Sequence, residues 1–180
     1  MNHNNFEMKT IFLIGMMGTG KSTIGKKLSR KLGFAFYDLD KIIEKKSQKT
    51  IEEIFSVNGE THFRDQEAKA LRKTPLLSSV VATGGGIIEN EANRNWIKQF
   101  GIGILLLADD ETILSRLRND KTRPLLQNNP EQGIQELKQK RNHEYLDCAH
   151  FIIQTDDKTE EDIIKEIMKE ISSNVPEYFV

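Results

Sequence analysis

Five short apolar runs are spaced along the chain, and the first four are each followed directly by a glycine or an aspartate. The runs are Thr10–Ile14, Phe34–Tyr37, Ser79–Thr83, Gly103–Ala108 and Phe151–Thr155. They are apolar throughout rather than alternating, which is typical of parallel strands that are covered on both faces. The pattern therefore predicts five buried strands.

Amphipathic helical patterns separate these runs. Ile24, Leu28 and Leu32 recur every four residues, and Gly33 follows them as a predicted helix C-cap. Thr50 and Glu53 form a predicted capping box. Further helices are predicted from about Glu60 and over Ala92–Phe100, Thr112–Arg118, Gln132–Tyr145 and Thr159–Ile171. Because strands and helices alternate, we expect an α/β fold with a parallel sheet and right-handed crossovers.

The last predicted helix carries an apolar stripe at positions 163–171. This stripe favours a helix that covers its own sheet, with a partner-binding surface as the alternative. The stretch 119–130 is polar and is predicted to be a mobile loop within a single domain.

A phosphate-binding sequence follows the first predicted strand. Residues Gly15–Ser22 fit G-x-x-x-x-G-K-[ST] in full, with a strand before them and an amphipathic helix after them. Glycines let backbone N–H groups turn toward phosphate oxygens, and the helix N-terminus adds about half a positive charge. We expect ATP to contact Gly18, Thr19, Gly20, Lys21, Ser22 and Thr23. Lys21 should reach the β- and γ-phosphates, and Ser22 should bind Mg²⁺.

Two large classes of P-loop protein do not fit the sequence. The D-x-x-G switch and the [NT]-K-x-D guanine reader of GTPases are missing from the 180 residues. A large ATPase would usually end a strand on an acidic residue, whereas Ser79–Thr83 is followed by glycines. The size and these absences favour a compact kinase of nucleotides or metabolites.

Ligands of open α/β sheets bind outside the carboxyl ends of the strands. The second strand leads to Asp38 and Asp40, and the third to Gly84–Gly86. An extended D-L-D segment would point both carboxylates the same way. One carboxylate could then hold Mg²⁺ through water while the other accepts hydrogen bonds from a substrate hydroxyl, and the alternative for Asp40 is to cap the helix that follows. Three glycines in succession indicate a strained turn or a close ligand approach, with a plain tight turn as the alternative.

Charge and composition narrow the partners further. The net charge is −1, so no overall attraction to nucleic acid or membranes is expected. No stretch has the length of a membrane span, and the first residues lack a signal-peptide pattern. We expect a cytoplasmic protein with a flexible tail at residues 1–8. Arg64 shares a helical face with Glu60 and Glu67, so its spacing alone favours a surface ion pair, and Arg141 could similarly be a solvated helix residue.

The sequence resembles shikimate kinases along nearly its whole length. The matching elements are G-M-M-G-T-G-K-S-T at 15–23, D-L-D at 38–40, I-E-E-I-F-x-x-x-G-E-x-x-F-R-x-x-E at 51–67, G-G-G at 84–86 with Asn93-Arg94, R-P-L-L at 123–126, and Arg141 with Tyr145. Many families share the phosphate loop, but this order and spacing of the other elements is much more specific. The chain departs from the family pattern at His143, Glu144 and Asp147.

The resemblance implies transfer of phosphate from ATP to the 3-hydroxyl of shikimate, in aromatic amino-acid biosynthesis through chorismate. It implies a nucleoside monophosphate kinase-like fold with a five-stranded parallel sheet, a substrate-binding region at 33–75 and a mobile lid at 117–130. The expected partners are ATP and shikimate, and the expected state is a monomer.

The resemblance also assigns roles to individual residues. Arg64 and Arg141 would hold the shikimate carboxylate, with Glu67 positioning Arg64. Asp40 would bind the ring hydroxyls and orient or deprotonate the nucleophile, and Gly84, Gly85 and Gly86 would offer backbone N–H groups. Ser22 and Asp38 would serve Mg²⁺, the latter through water. Lys21, Asp40 and Arg123 form the expected catalytic set, and Arg116 would stack on the adenine.

Two alternatives remain open from the sequence. A gluconate-type sugar-acid kinase shares the phosphate loop and the size. A nucleotide-binding module without turnover is the other, although Lys21, Asp38, Asp40, Arg64, Arg123 and Arg141 are all present.

Overall fold

A five-stranded, fully parallel sheet forms the centre of the protein, with the strand order β2-β3-β1-β4-β5. The computed structural model describes residues 9–118 and 129–174. The strands are β1 (Thr10–Ile14), β2 (Ala35–Asp38), β3 (Ser79–Ala82), β4 (Gly101–Leu107) and β5 (Phe151–Gln154). The predicted α/β fold and the predicted number of strands are confirmed.

Seven α-helices flank this sheet within the described ranges. They are α1 (Lys21–Leu32), α2 (Leu39–Ser47), α3 (Ile51–Leu71), α4 (Glu91–Phe100), α5 (Asp110–Leu117), α6 (Pro130–Cys148) and α7 (Glu160–Asn174), and a 3-10 helix covers Ile87–Glu89. The predicted C-cap at Gly33 and the capping box of Thr50 and Glu53 are confirmed. Helix α3 breaks at Gly59, whose φ of 82° is left-handed, so its second half starts at the predicted position.

Alternate residues of β1 point into two separate cores. Ile11 and Leu13 pack with apolar side chains of α1 and α7, whereas Phe12 and Ile14 pack with those of α3, α4 and α6. The stripe of α7 is buried through Ile163, Ile164, Ile167 and Ile171. These side chains cover the protein's own sheet, so the alternative of a partner-binding surface is wrong for them.

The two edge strands are less buried than the sequence pattern predicts. Strand β1 is buried throughout, whereas β2 contains exposed Ala35 and β5 contains exposed Ile152. Edge strands pair on one side only, so the other side is open to solvent, which accounts for the difference. Within the described ranges, no helix is long and apolar enough to cross a bilayer.

Candidate active site at the strand ends

A cleft of about 440 Å³ opens at the carboxyl end of the central strand β1. Its lining includes the phosphate loop together with residues from four other parts of the chain: Gly18, Thr19, Gly20, Lys21, Ser22, Thr23, Asp40, Gly85, Arg116 and Lys158. The loop is contiguous in sequence, but the other contributors are brought to it only by the parallel sheet. The strand-end expectation for Asp40 and the glycine segment is therefore confirmed as a matter of position.

The phosphate loop is held open by its glycines and by Lys21. Gly18 and Gly20 have φ values of 78° and 95°, a left-handed backbone conformation that residues with a Cβ rarely adopt. The Lys21 ammonium donates to the carbonyl oxygens of Gly15 at 2.8 Å and Met16 at 2.7 Å. Helix α1 starts at Lys21 itself, so its first amide groups lie at the floor of the cleft. This arrangement offers N–H donors and a buried cation to an anion.

The D-L-D segment is not extended throughout, because β2 ends at Asp38 and the following two residues are helical, so the expectation of an extended segment is wrong. Helix α2 begins at Leu39, and Asp38 is its N-cap, with Oδ1 accepting a hydrogen bond from the Lys41 amide at 3.2 Å. Asp40 lies in the first turn of the helix, so the alternative that Asp40 is the cap is wrong too. Ser22 Oγ donates to Asp38 Oδ2 at 2.6 Å, which links the phosphate loop to the end of β2.

Arg64 and Arg141 approach one another from α3 and α6. The Arg64 guanidinium pairs with Glu67 Oε2 and Glu60 Oε1, each at 2.9 Å. Its side chain is only 21% exposed, so the predicted surface pairing exists but is partly sheltered. Arg141 is almost fully buried, which rules out the solvated alternative for that residue. Both guanidinium groups lie against the carboxylate of Glu89, at the end of the 3-10 helix.

Glu67 is a buried carboxyl beside two charges of opposite sign. Burial raises its pKa, the Arg64 guanidinium opposes that rise and the Asp40 carboxylate adds to it, which gives a pKa of about 7. Among the described residues, Glu67 Oε1 has no hydrogen-bond partner, whereas Oε2 accepts from Arg64. Glu67 therefore couples the Arg64 guanidinium electrostatically to the Asp40 carboxylate, which lines the cleft.

The glycines at 84–86 make room for these side chains. None of the three has a left-handed backbone, so the predicted strained turn is wrong. A Cβ on Gly84 would lie 2.0 Å from Glu67 Oε1, and a Cβ on Gly86 would lie within 2.4 Å of the Arg64 guanidinium. The close approach comes from the protein's own charged groups. Tyr145 of α6 donates to the Gly85 carbonyl at 2.5 Å and holds the segment in place.

We expect Gly84→Ala to lower the free energy of unfolding by about 1–3 kcal/mol, because the added methyl group overlaps a buried, ion-paired carboxylate. Gly85→Ala is the matched control, since its Cβ would meet its neighbours at 3.5 Å or more. It should change the free energy of unfolding by no more than about 0.5 kcal/mol. Denaturant unfolding of both variants measures the difference, and equal stability would contradict the packing argument.

A family model described as shikimate kinase matches residues 17–172, which include most of the phosphate loop, the glycine segment and Arg141. The chain belongs to the shikimate kinase family. A curated relative, the shikimate kinase of Thermodesulfovibrio yellowstonii, is 45% identical over 165 residues, which cover 91% of this chain and 95% of that protein. Another shikimate kinase, from a Bacillus cereus strain, is 41% identical over 94% of this chain and all of that protein.

Solved structures agree with this family membership. A shikimate kinase from Acinetobacter baumannii, solved in complex with shikimate, is 41% identical and superimposes with a TM-score of 0.90 over 93% of this chain and 94% of that one. A deoxyadenosine kinase from M. mycoides is 18% identical with a TM-score of 0.58 over 91% and 98% of the two chains, so it shares the fold alone. The predicted P-loop kinase fold is confirmed.

The sequence did not predict some residues of this shikimate kinase site. Lys158 lines the cleft, and Thr155 binds Arg116 through its hydroxyl and its carbonyl, each at 3.2 Å. Both lie just beyond β5, so applying the strand-end rule to that strand would have found them. Glu89 carries no comparable signal, because its partners come from α3 and α6. Arg123 and most of the predicted lid lie outside the described residues.

Proposed function

We propose that this shikimate kinase family member transfers the γ-phosphoryl group of ATP to the 3-hydroxyl group of shikimate. The products are shikimate 3-phosphate and ADP, in the route to chorismate and the aromatic amino acids. The observation that carries the proposal is that Arg64 and Arg141 converge, near the phosphate loop, on one carboxylate, that of Glu89. Paired guanidinium groups suit the carboxylate of a small hydroxy acid. The shikimate-bound relative from Acinetobacter baumannii supports the choice of acid.

ATP fits the cleft through its phosphates. The backbone N–H groups of Gly18–Thr23 would surround the phosphate oxygens, and Lys21 would leave its carbonyl partners to contact the β- and γ-phosphates. Arg116 contacts the Gly18 carbonyl at 3.2 Å and lines the same cleft, which supports its proposed place beside the nucleotide base. Lys21 would then stabilise the charge that spreads over the transferred group.

The residues present suit the Mg²⁺ ion that accompanies ATP in P-loop kinases. Ser22 Oγ and Asp38 Oδ2 meet 2.6 Å apart beside the phosphate loop, and both are hard oxygen donors. We assign Ser22 as a direct ligand and Asp38 as a ligand through water. When bound, the ion would neutralise phosphate charge.

The acid substrate would lie between the two arginines and the phosphate loop. Arg64 and Arg141 bind its carboxylate, and Glu67 holds Arg64 in position. Asp40 accepts from the ring hydroxyls and orients or deprotonates the attacking one. Backbone N–H groups of Gly84, Gly85 and Gly86 complete the contact surface.

The remaining assignments concern the whole protein. Residues 1–180 form one domain, with 33–75 as the substrate-binding region and 117–130 as a lid from which Arg123 reaches the transferred phosphate. Lid closure would exclude water and limit hydrolysis of ATP. The protein acts as a cytoplasmic monomer on small molecules, without nucleic acid or membrane partners, in keeping with its net charge of −1.

A substrate panel tests the reaction itself. We expect ADP release to depend on shikimate and to stay at background with gluconate or nucleoside monophosphates. Turnover with gluconate would replace the proposal by a sugar-acid kinase. ATP binding without shikimate-dependent ADP release would indicate a nucleotide-binding module.

Replacing Arg64 by alanine should raise the KM for shikimate about 10-fold to 100-fold, because a charge-assisted contact to the substrate carboxylate is lost. The KM for ATP should stay unchanged, since Arg64 does not line the phosphate-loop cleft. Steady-state ADP release measures both constants. Arg30→Ala removes the same charge from the exposed end of α1 and is the control. An unchanged KM for shikimate in Arg64→Ala would refute the carboxylate assignment.

A further inference from the structure

Glu89 places a carboxylate of the protein between the two arginines that we assign to the substrate. Glu89 Oε1 accepts from Arg141 Nε at 2.9 Å and from Arg141 Nη2 at 2.6 Å. The same oxygen lies 3.7 Å from Arg64 Nη2. The group that a carboxylic acid substrate would contact is therefore already in contact with a carboxylate.

The contact with Glu89 uses the edge of the Arg141 guanidinium that a substrate carboxylate would need. The Arg141 side chain is 2% exposed, and it directs the Nε–Nη2 edge of its guanidinium at Glu89. That edge is the one suited to bidentate contact with a carboxylate. One such edge accommodates one carboxylate at a time, so the substrate and Glu89 cannot both use it.

Glu89 also has a second partner on the outer side. Its Oε2 pairs with Lys140 at 2.5 Å, and the Lys140 side chain is 63% exposed. Lys140 directly precedes Arg141 on α6, so the two cations hold opposite oxygens of the same carboxylate. If another anion binds the two arginines, Glu89 keeps its ion pair with Lys140 near solvent and does not become an unpaired charge.

The charge state of Glu89 fits this arrangement. Burial alone would raise its pKa, but Lys140, Arg141 and Arg64 together hold the pKa below its ordinary value. Glu89 is thus an anion at neutral pH.

We propose that Glu89 is an internal competitor for the substrate carboxylate: it occupies the Arg64–Arg141 pair in the free enzyme and moves toward Lys140 when the acid binds. This inference rests on the proposed function and adds a residue that sets the affinity for the acid. Glu89 keeps the buried Arg141 charge neutralised between turnovers, at the expense of affinity for shikimate.

Glu89→Gln tests the proposal, because glutamine keeps the shape of the side chain and removes its charge. We expect the Kd of shikimate, measured by titration calorimetry, and its KM in ADP release to fall about 3-fold to 10-fold. The KM for ATP should not change. Glu89→Ala should shift the Kd in the same direction, which keeps the test valid if one variant folds poorly. An unchanged or raised shikimate Kd in the folded variants would overturn the proposal, since Glu89 would then position the arginines.

Glu91→Gln is the matched control for a general charge effect. Glu91 is exposed in the first turn of α4, two residues from Glu89, and it carries the same charge. It should leave the shikimate Kd within about twofold of the wild-type value. An equal gain in affinity from Glu91→Gln would show that overall charge, not occupation of the arginine pair, explains the effect.

A double-mutant cycle of Glu89 and Lys140 tests whether Glu89 moves toward Lys140 when the acid binds. Lys140→Met removes the outer partner of Glu89, so it should raise the Kd of shikimate about threefold in the wild-type background. The same substitution should have little effect in the Glu89→Gln background. Equal effects in both backgrounds would refute the role of Lys140. Wild-type protein without shikimate-dependent ADP release would instead refute the proposed function, so the two failures are distinguishable.

Discussion

Replacing Asp40 by asparagine is expected to lower kcat about 100-fold to 10,000-fold, the range for loss of a positioned general base. Asp40 lies in the first turn of α2, lines the cleft with the phosphate loop, and would orient the attacking hydroxyl. Asparagine preserves the volume beside Gly84 but cannot take up the proton. Single-turnover measurement of ADP formation separates this chemical step from substrate binding.

The KM for shikimate should change far less than kcat in this variant. Asp65→Asn is the control, because Asp65 is exposed on α3 and bears the same charge. A wild-type kcat in Asp40→Asn would remove Asp40 from the catalytic set and leave Glu67, the neighbouring buried carboxyl, as the next candidate base.

Replacing Lys21 by alanine is expected to lower kcat about 100-fold or more, as found when one preorganised charge contact to a transition state is removed. Lys21 is buried at the start of α1, with its ammonium group held by two carbonyls of the phosphate loop. The alanine variant loses both the charge and those hydrogen bonds. Steady-state kinetics at saturating shikimate gives the effect on kcat.

Thermal unfolding must accompany this measurement, because Lys21 also holds the loop in shape. Lys26→Ala is the control, since Lys26 is exposed on the same helix. A folded Lys21→Ala protein with nearly normal kcat would contradict the assigned role. A fall in kcat of the same size in Lys26→Ala would point to a general effect of charge.

Local sequence signals predicted most of the fold. Strand β1 has the predicted bounds because all five of its residues are buried, which leaves no ambiguity about where the apolar run ends. The predicted bounds are shifted at β2, which starts at Ala35 and extends to Asp38. That strand lies at the edge of the sheet, where burial constrains the sequence less.

The candidate site was predictable only where its residues follow strands or a known motif. The phosphate loop, Asp40 and the glycines at 84–86 meet that condition. The Glu89 contacts do not, because they depend on how α3 and α6 pack around the 3-10 helix. The tight fit at Gly84 and Gly86 is likewise visible only when Glu67 and Arg64 are seen in three dimensions.

The strand order also constrains how the chain assembles during synthesis. The first two strands made, β1 and β2, are not neighbours, because β3 lies between them. Ile11 of β1 pairs with Val80 on one side and with Ile102 on the other. A growing chain that has left the ribosome only as far as α3 therefore contains β1 and β2, but neither strand yet has a neighbour to pair with. Such long-range pairing slows folding and leaves apolar strand edges open. We expect a nascent chain truncated before Ser79 to need chaperone protection, and one that extends past Leu107 to form the central three strands of the sheet.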